Sequence, residues 1–180
     1  MKAFVFLADG FEEIEAIAPI DILRRADVEV ITVSVSAVKT VRGAHGISVI
    51  ADQLFSEADF SIMDLLILPG GMPGTANLDA HPGLKKLIRT HIEQNKKTGA
   101  ICAAPSIPGK MGLLEGKEAI CYPGFENQLL GATLSEKKVV KSGEIITAKG
   151  AGVALEFALK LVEELKGKVV ADRVSDSICF

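Results

Sequence analysis

Lys2-Ala3-Phe4-Val5-Phe6-Leu7-Ala8, halted by Asp9-Gly10, decides the fold. This apolar run is rich in aromatic and β-branched residues and shows no polar alternation, so it reads as a strand covered on both faces. That is the pattern of a parallel sheet. The next segment reads as a helix. Ile14, Ile17, Ala18 and Leu23 fall close to the i, i+3, i+4 rule and predict an apolar stripe on a helix from about Phe11 to Ala26.

The alternation continues along the chain. Val28 to Val35 reads as a strand, and Ile47 to Ala51, after Arg42-Gly43 and His45-Gly46, as an edge strand or a hairpin arm. Asp64 to Leu68 is a short buried strand that ends at Pro69-Gly70-Gly71. A helix from about Pro82 to Asn95 sets Leu84, Leu87, Ile88 and Ile92 against Lys85, Lys86 and Arg89. Thr98 to Cys102 is the next strand, and Ser106 to Leu114 the next helix. Val139 to Lys141 and Ile145 to Ala148 flank Ser142-Gly143-Glu144 as a late hairpin. A helix over Val153 to Leu165 carries Leu155, Ala158, Leu159 and Val162, and Lys168 to Phe180 suits a short helix of no assigned place. Strands alternating with helices imply a single α/β domain over residues 1–180, with a mostly parallel sheet wound on both faces.

Charge and composition narrow the function. Twenty Lys and Arg against 23 Asp and Glu leave a net charge of −3, with no basic block to attract nucleic acid or an anionic membrane. The N-terminal apolar run is too short for a signal-peptide core or a membrane span, so a cytoplasmic protein is expected. Cys102, Cys121 and Cys179 form no C-x-x-C pair and read as free thiols. His81 reads as a helix-start residue and His91 as part of a charged helix. His45 lies in a glycine-flanked turn, from which it reaches the site only by way of a loop or a partner chain. Their spacing gives no metal site, and without a Gly-rich phosphate loop no cofactor is expected.

Chemistry gathers outside the carboxyl ends of the strands in such sheets. Three loops lie there: Asp9 to Glu15, Pro69 to Gly74, and Cys102 to Pro105. They converge if their strands are neighbours. Cys102 ends a strand, before the small residues Ala103 and Ala104, as a nucleophile on a sharp strand-to-helix turn requires. A helix start just beyond it would favour thiolate. The same position also suits a buried cysteine packed as a small hydrophobe. Backbone N–H groups of Gly70, Gly71 and Ala103 are candidate donors to a developing oxyanion. Glu12 and Glu13 read as first-turn acids offsetting the helix dipole. Glu15 borders the apolar face, and a carboxylate beside a thiolate requires one of the two to hold a proton, which suggests a protonated Glu15 hydrogen-bonded to Cys102.

Gly-Phe-Glu-Glu-Ile-Glu (Gly10–Glu15), Leu-Pro-Gly-Gly (Leu68–Gly71), Ala-Ile-Cys-Ala-Ala-Pro (Ala100–Pro105) and Cys-Tyr-Pro-Gly (Cys121–Gly124), in this order, resemble the ThiJ/PfpI superfamily. Within it the chain looks like the branch of the parkinsonism-associated protein deglycase and its bacterial relatives. The resemblance implies a flavodoxin-like three-layer sandwich, a homodimer, Cys102 as an oxidation-prone nucleophile and Glu15 as its protonated partner. It implies a glyoxalase or deglycase acting on methylglyoxal or on glycated thiols and amines, or else a redox-responsive, chaperone-like stress protein. The protease-like branch places a histidine directly after the cysteine. Ala103 stands there in this chain, which weighs against a peptidase. Several glyoxalase members carry a catalytic histidine before the late hairpin, where this chain reads Gly131-Ala132-Thr133.

Overall fold

The computed structural model describes residues 1–180. Strand β1 (Lys2–Leu7) leads through helix α1 (Glu13–Arg25) to β2 (Glu29–Ser34). Next come the short strands β3 (Thr40–Arg42), β4 (Ser48–Ile50) and β5 (Gln53–Leu54), and then β6 (Leu65–Leu68). Helices α2 (Gly74–Ala80) and α3 (Pro82–Glu93) precede β7 (Lys97–Ile101) and the short helix α4 (Ser106–Lys110). Strands β8 (Glu118–Ala119), β9 (Thr133–Leu134), β10 (Val139–Ser142) and β11 (Ile145–Ala148) come after it, and helices α5 (Ala154–Lys166) and α6 (Lys168–Ser177) end the chain.

The main sheet has the order β10-β11-β7-β6-β1-β2-β5, and every neighbouring pair in it is parallel except the hairpin β10–β11. Read across its long members, this is the flavodoxin-like winding, in which the connections leave β1 in opposite directions. Both faces are covered, as the unbroken apolar run predicts. On β1 and the residue after it, Ala3, Val5 and Leu7 face one core with α1 and α5, while Phe4, Phe6 and Ala8 face a second core with α3 and α4. Leu65 and Ile67 of β6 join the first core and Leu66 and Leu68 the second, the alternation that strand geometry imposes.

Strands β7, β6 and β1 are adjacent, so the three loops at their carboxyl ends do converge. Residues 47–51 supply the second arm of a hairpin, β3–β4, and the tail folds as α6.

Other expectations need correction. Helix α1 turns Ala16, Pro19, Ile20, Ile22 and Leu23 inward and leaves Ile14 and Ile17 exposed. The helix is apolar on more than one side, and packing on α5 selects the buried face. In α5 the inward residues are Ala154, Phe157, Ala158, Leu161, Val162 and Leu165, with Leu155 outside. Helix α4 stops at Lys110 rather than Leu114, because Gly112 takes a left-handed conformation at φ 73°. Helix α2 carried no sequence signal, since only Leu78 among its large residues is apolar. His91 is buried, with Nε2 2.9 Å from the Lys97 carbonyl, and belongs to the packing of α3 on β7.

Candidate active site

Cys102 comes directly after the last residue of β7 with φ at +64°, in the left-handed region that residues with a Cβ seldom occupy. Backbone strain of this kind costs about 1–3 kcal/mol and persists only where the surroundings enforce it. Two hydrogen bonds do so here. The Cys102 N–H donates to the Ala148 carbonyl at 2.9 Å, and the Tyr122 N–H donates to the Cys102 carbonyl at 2.8 Å. The residue as a whole keeps 9% exposure.

Glu15 arrives from the first turn of α1 and is buried. Its Oε2 accepts the Gly70 N–H at 2.9 Å, while Oε1 is buried without a partner. Gly70 is the pivot. A Cβ built on it would stand 2.6 Å from the Cys102 Cβ and 2.6 Å from Glu15 Oε2, so only glycine lets the sulfur-bearing turn and the carboxyl close on the same point. Gly71 then turns the chain at φ 88° against the backbone of Gly10 to Glu12. The Glu12 N–H donates to the Gly70 carbonyl at 2.9 Å and the Glu12 side chain caps α1 by accepting the Glu15 N–H.

Burial raises the Glu15 carboxyl to about 7, against smaller downward pulls from Cys102 and the Gly70 N–H. Burial, followed by the charge of Glu15 and its hydrogen bond, pushes the Cys102 thiol up to about 12. The N–H groups of Gly71 and Ala103 pull it down by less. The thiol is therefore not lowered by a helix start. Helix α4 begins only at Ser106 and is five residues long, whereas the desolvation and the carboxylate act directly on the sulfur. The pair cannot carry two negative charges at neutral pH, and thiolate forms only when the proton moves to Glu15. Of the three expected donors, Gly71 and Ala103 face the sulfur, while the N–H of Gly70 is committed to Glu15 instead.

Glu13 is also more than a helix-dipole partner. It is buried and accepts the His45 N–H at 2.8 Å, the Ile47 N–H at 3.3 Å and the His45 Nδ1–H at 2.8 Å. Burial pushes its carboxyl up, but these bonds prevail and leave it below the usual carboxylate range. This ties the β3–β4 hairpin to the loop that carries Glu12 and Glu15, and the Gly10 N–H to Arg42 carbonyl bond tightens the same seam. The ligand atoms of Glu12, Glu13 and His45 lie within 4.8 Å of one another. The Glu13 oxygens in that group are already engaged by His45 and Ile47, so it serves to latch the hairpin. His81 caps α3, accepting the Leu84 N–H at 3.0 Å. Tyr122 stands in the Cys121–Gly124 motif without an assigned role, and its N–H bond to the Cys102 carbonyl places it beside the site.

A flavodoxin-like sheet with a cysteine on a left-handed turn, set against a buried carboxyl at the switch point of the strands, defines a class of cysteine-elbow α/β proteins. Residues 1–164 match the DJ-1/PfpI family, and the chain belongs to it. It is 41% identical over 176 residues to protein DJ-1 homolog B of Arabidopsis thaliana, covering 97% of this chain and 40% of that protein's length. The chain thus spans about two-fifths of that relative. The glutathione-independent glyoxalase DJR-1.2 of Caenorhabditis elegans is 31% identical over 171 residues, with 94% of this chain and 90% of that protein covered. Among solved structures, oxidized DJ-1 of Toxoplasma gondii superposes with a TM-score of 0.95 at 38% identity, covering 99% of this chain and 98% of that one. No helix is long and apolar enough to cross a membrane.

Proposed function

We propose that the protein is a cofactor-free, cysteine-dependent glyoxalase of the deglycase type, acting on methylglyoxal or its adducts with thiols and amines. The convergence of Cys102 and Glu15 on Gly70, with a single negative charge to share, carries this reading. The glyoxalase named among its relatives supports it.

In the reaction, the Glu15 carboxylate takes the thiol proton as the sulfur attacks the aldehyde carbon. A C–S bond forms, the carbonyl π pair moves to oxygen, and the Gly71 and Ala103 N–H groups receive that oxyanion. Protonation of the oxyanion by Glu15 gives the hemithioacetal and restores the carboxylate. Glu15 then removes the proton from this carbon and returns it to the neighbouring carbon, while the hydroxyl proton passes to the neighbouring carbonyl oxygen, converting the hemithioacetal to a thioester of lactate. Water cleaves the thioester, and methylglyoxal plus water has become lactic acid with no net oxidation. Lactate formation measured on wild type, Cys102→Ser and Glu15→Gln tests the scheme. Both variants are expected to lose turnover by at least a hundredfold, and retained activity in Cys102→Ser overturns it.

A second reading is favoured by the oxidized state of the Toxoplasma gondii relative. Two equivalents of peroxide convert the Cys102 thiol to sulfinic acid, releasing water, and Glu15 with the Gly71 and Ala103 N–H groups stabilises the product, so the protein acts as a redox-sensing, chaperone-like stress protein. Selective mass gain at Cys102 over Cys121 and Cys179 under mild peroxide is its signature, and equal gain at all three refutes it. We also read the protein as a cytoplasmic homodimer joined through α1. Ile14 and Ile17 are exposed one turn apart, and Ile14 shares a shallow depression with the exposed Leu155 and Phe180.

A further inference from the structure

A cleft of about 410 Å³ opens beside the candidate site, between the Tyr122-Pro123 segment and the Lys149–Val153 segment. Both walls are tied to the nucleophile's backbone. Tyr122 donates its N–H to the Cys102 carbonyl, and the carbonyl of Ala148, which precedes Lys149, accepts the Cys102 N–H. Gly150 lines it without a side chain, and a Cβ there would press on the Tyr122 ring at 3.3 Å and touch Glu15 Oε1 at 3.9 Å. The cleft therefore ends at Gly150, which alone separates it from the Glu15 carboxyl.

Its charge has one sign. Lys138 and Lys149 line it and no acidic residue does. The β10–β11 register, extended by the Lys149 N–H to Lys138 carbonyl bond at 3.0 Å, sets these two lysines opposite each other. Like charges in directly opposed positions of an antiparallel pair destabilise it. Of the two, only Lys138 has an ion-pair partner, Glu156 at 3.8 Å on the exposed surface. A carboxylate between the lysines would relieve the repulsion and fill the positive end of the cleft.

We infer that this cleft is the subsite for the remote end of the substrate, and that it selects α-oxoaldehydes ending in a carboxylate over neutral ones. The inference rests on the glyoxalase reading for its reaction, but the binding surface stands apart from it. The matched probes are 4,5-dioxopentanoate and methylglyoxal, which share the reacting end and differ in the terminal carboxylate. At low salt, kcat/KM for 4,5-dioxopentanoate exceeds that for methylglyoxal by roughly fivefold, as expected of exposed ion pairs. The ratio falls to about one in the Lys138→Met/Lys149→Met double variant, mainly through KM, and falls likewise at high salt. A wild-type ratio at or below one, or a ratio the double variant leaves unchanged, overturns the inference.

A readout independent of turnover is available because Tyr122 is the chain's one tyrosine and it has no tryptophan. Tyrosine fluorescence of Cys102→Ser, titrated with 2-hydroxyglutarate, is expected to change saturably and to need roughly fivefold more ligand when both lysines are methionine. If neither aldehyde is turned over and this titration behaves as expected, the glyoxalase reading fails and the subsite stands. If the fluorescence does not saturate, the subsite fails even where methylglyoxal is consumed.

Discussion

Replacing Glu15 by Gln should change the pH dependence of stability in a calculable way. The Glu15 carboxyl is raised from 4.5 to about 7 in the folded protein, chiefly by burial. A carboxyl whose folded value lies above its unfolded value binds more protons when folded, so stability declines as pH climbs through the interval between them. Each pH unit of that interval is worth about 1.4 kcal/mol. The group therefore withdraws about 3 kcal/mol of stability between roughly pH 4 and pH 8. Glutamine retains an acceptor for the Gly70 N–H and cannot ionise. Urea unfolding of both proteins across this window should give difference curves in which Glu15→Gln gains about 3 kcal/mol on the wild type from the acid to the neutral end. Titrations that Glu15 does not influence are common to both proteins and cancel, and Cys102, held near 12 in the wild type, stays protonated there across this window. The same substitution removes the charge that helps hold the Cys102 thiol near 12, so the pH profile of its alkylation should move to lower pH. Parallel stability curves together with an unmoved alkylation profile would refute the pairing of the two groups.

Gly70→Ala should abolish that pairing while Cys102 and Glu15 are both retained, because the new methyl meets the Cys102 Cβ, Glu15 Oε2 and the Ile101 carbonyl oxygen at 2.6, 2.6 and 2.9 Å. A loss of about 2–3 kcal/mol in urea unfolding, with lowered Cys102 alkylation, is expected. Glu13→Ala strands the His45 and Ile47 N–H groups and should cost about 3 kcal/mol, with faster hydrogen exchange confined to residues 40–50. Uniform exchange across the chain would show that the hairpin is held by other contacts. Ile14→Asp/Ile17→Asp should leave unfolding stability nearly unchanged and shift sedimentation from dimer to monomer, since both side chains are solvent-exposed in the isolated chain.

The strand ends were readable from local pattern alone. A run such as Lys2–Leu7 or Leu65–Leu68 tolerates only apolar residues because both faces of a parallel strand are covered, and the loop glycines mark where the chain must turn. The alternation of those runs with helices implied a parallel sheet wound on both faces, and the motif resemblance implied its flavodoxin-like form, while the meeting of the three loops around Cys102 depended on the strand order that the fold supplies. Glu15 was singled out because it borders Ile14 and Ile17, a stripe that faces solvent in the fold, and its burial comes from the packing of the opposite side of α1. The outward turn of Ile14 and Ile17, the inward turn of Glu13 and the burial of His91 were not legible. A helix apolar on several sides has no face until a neighbour covers one, and for α1 that neighbour, α5, begins only at Ala154. The place of Tyr122 beside Cys102 and the opposition of the two lysines became visible only through contacts between distant segments. The direction of the Cys102 shift likewise awaited the fold, because desolvation is set by everything packed around a sulfur and the residues beside it in sequence carry little of that information. Sequence determined which side chains arrive at the carboxyl edge of the sheet, and tertiary packing decided which of them are dry, which are paired and which face the solvent.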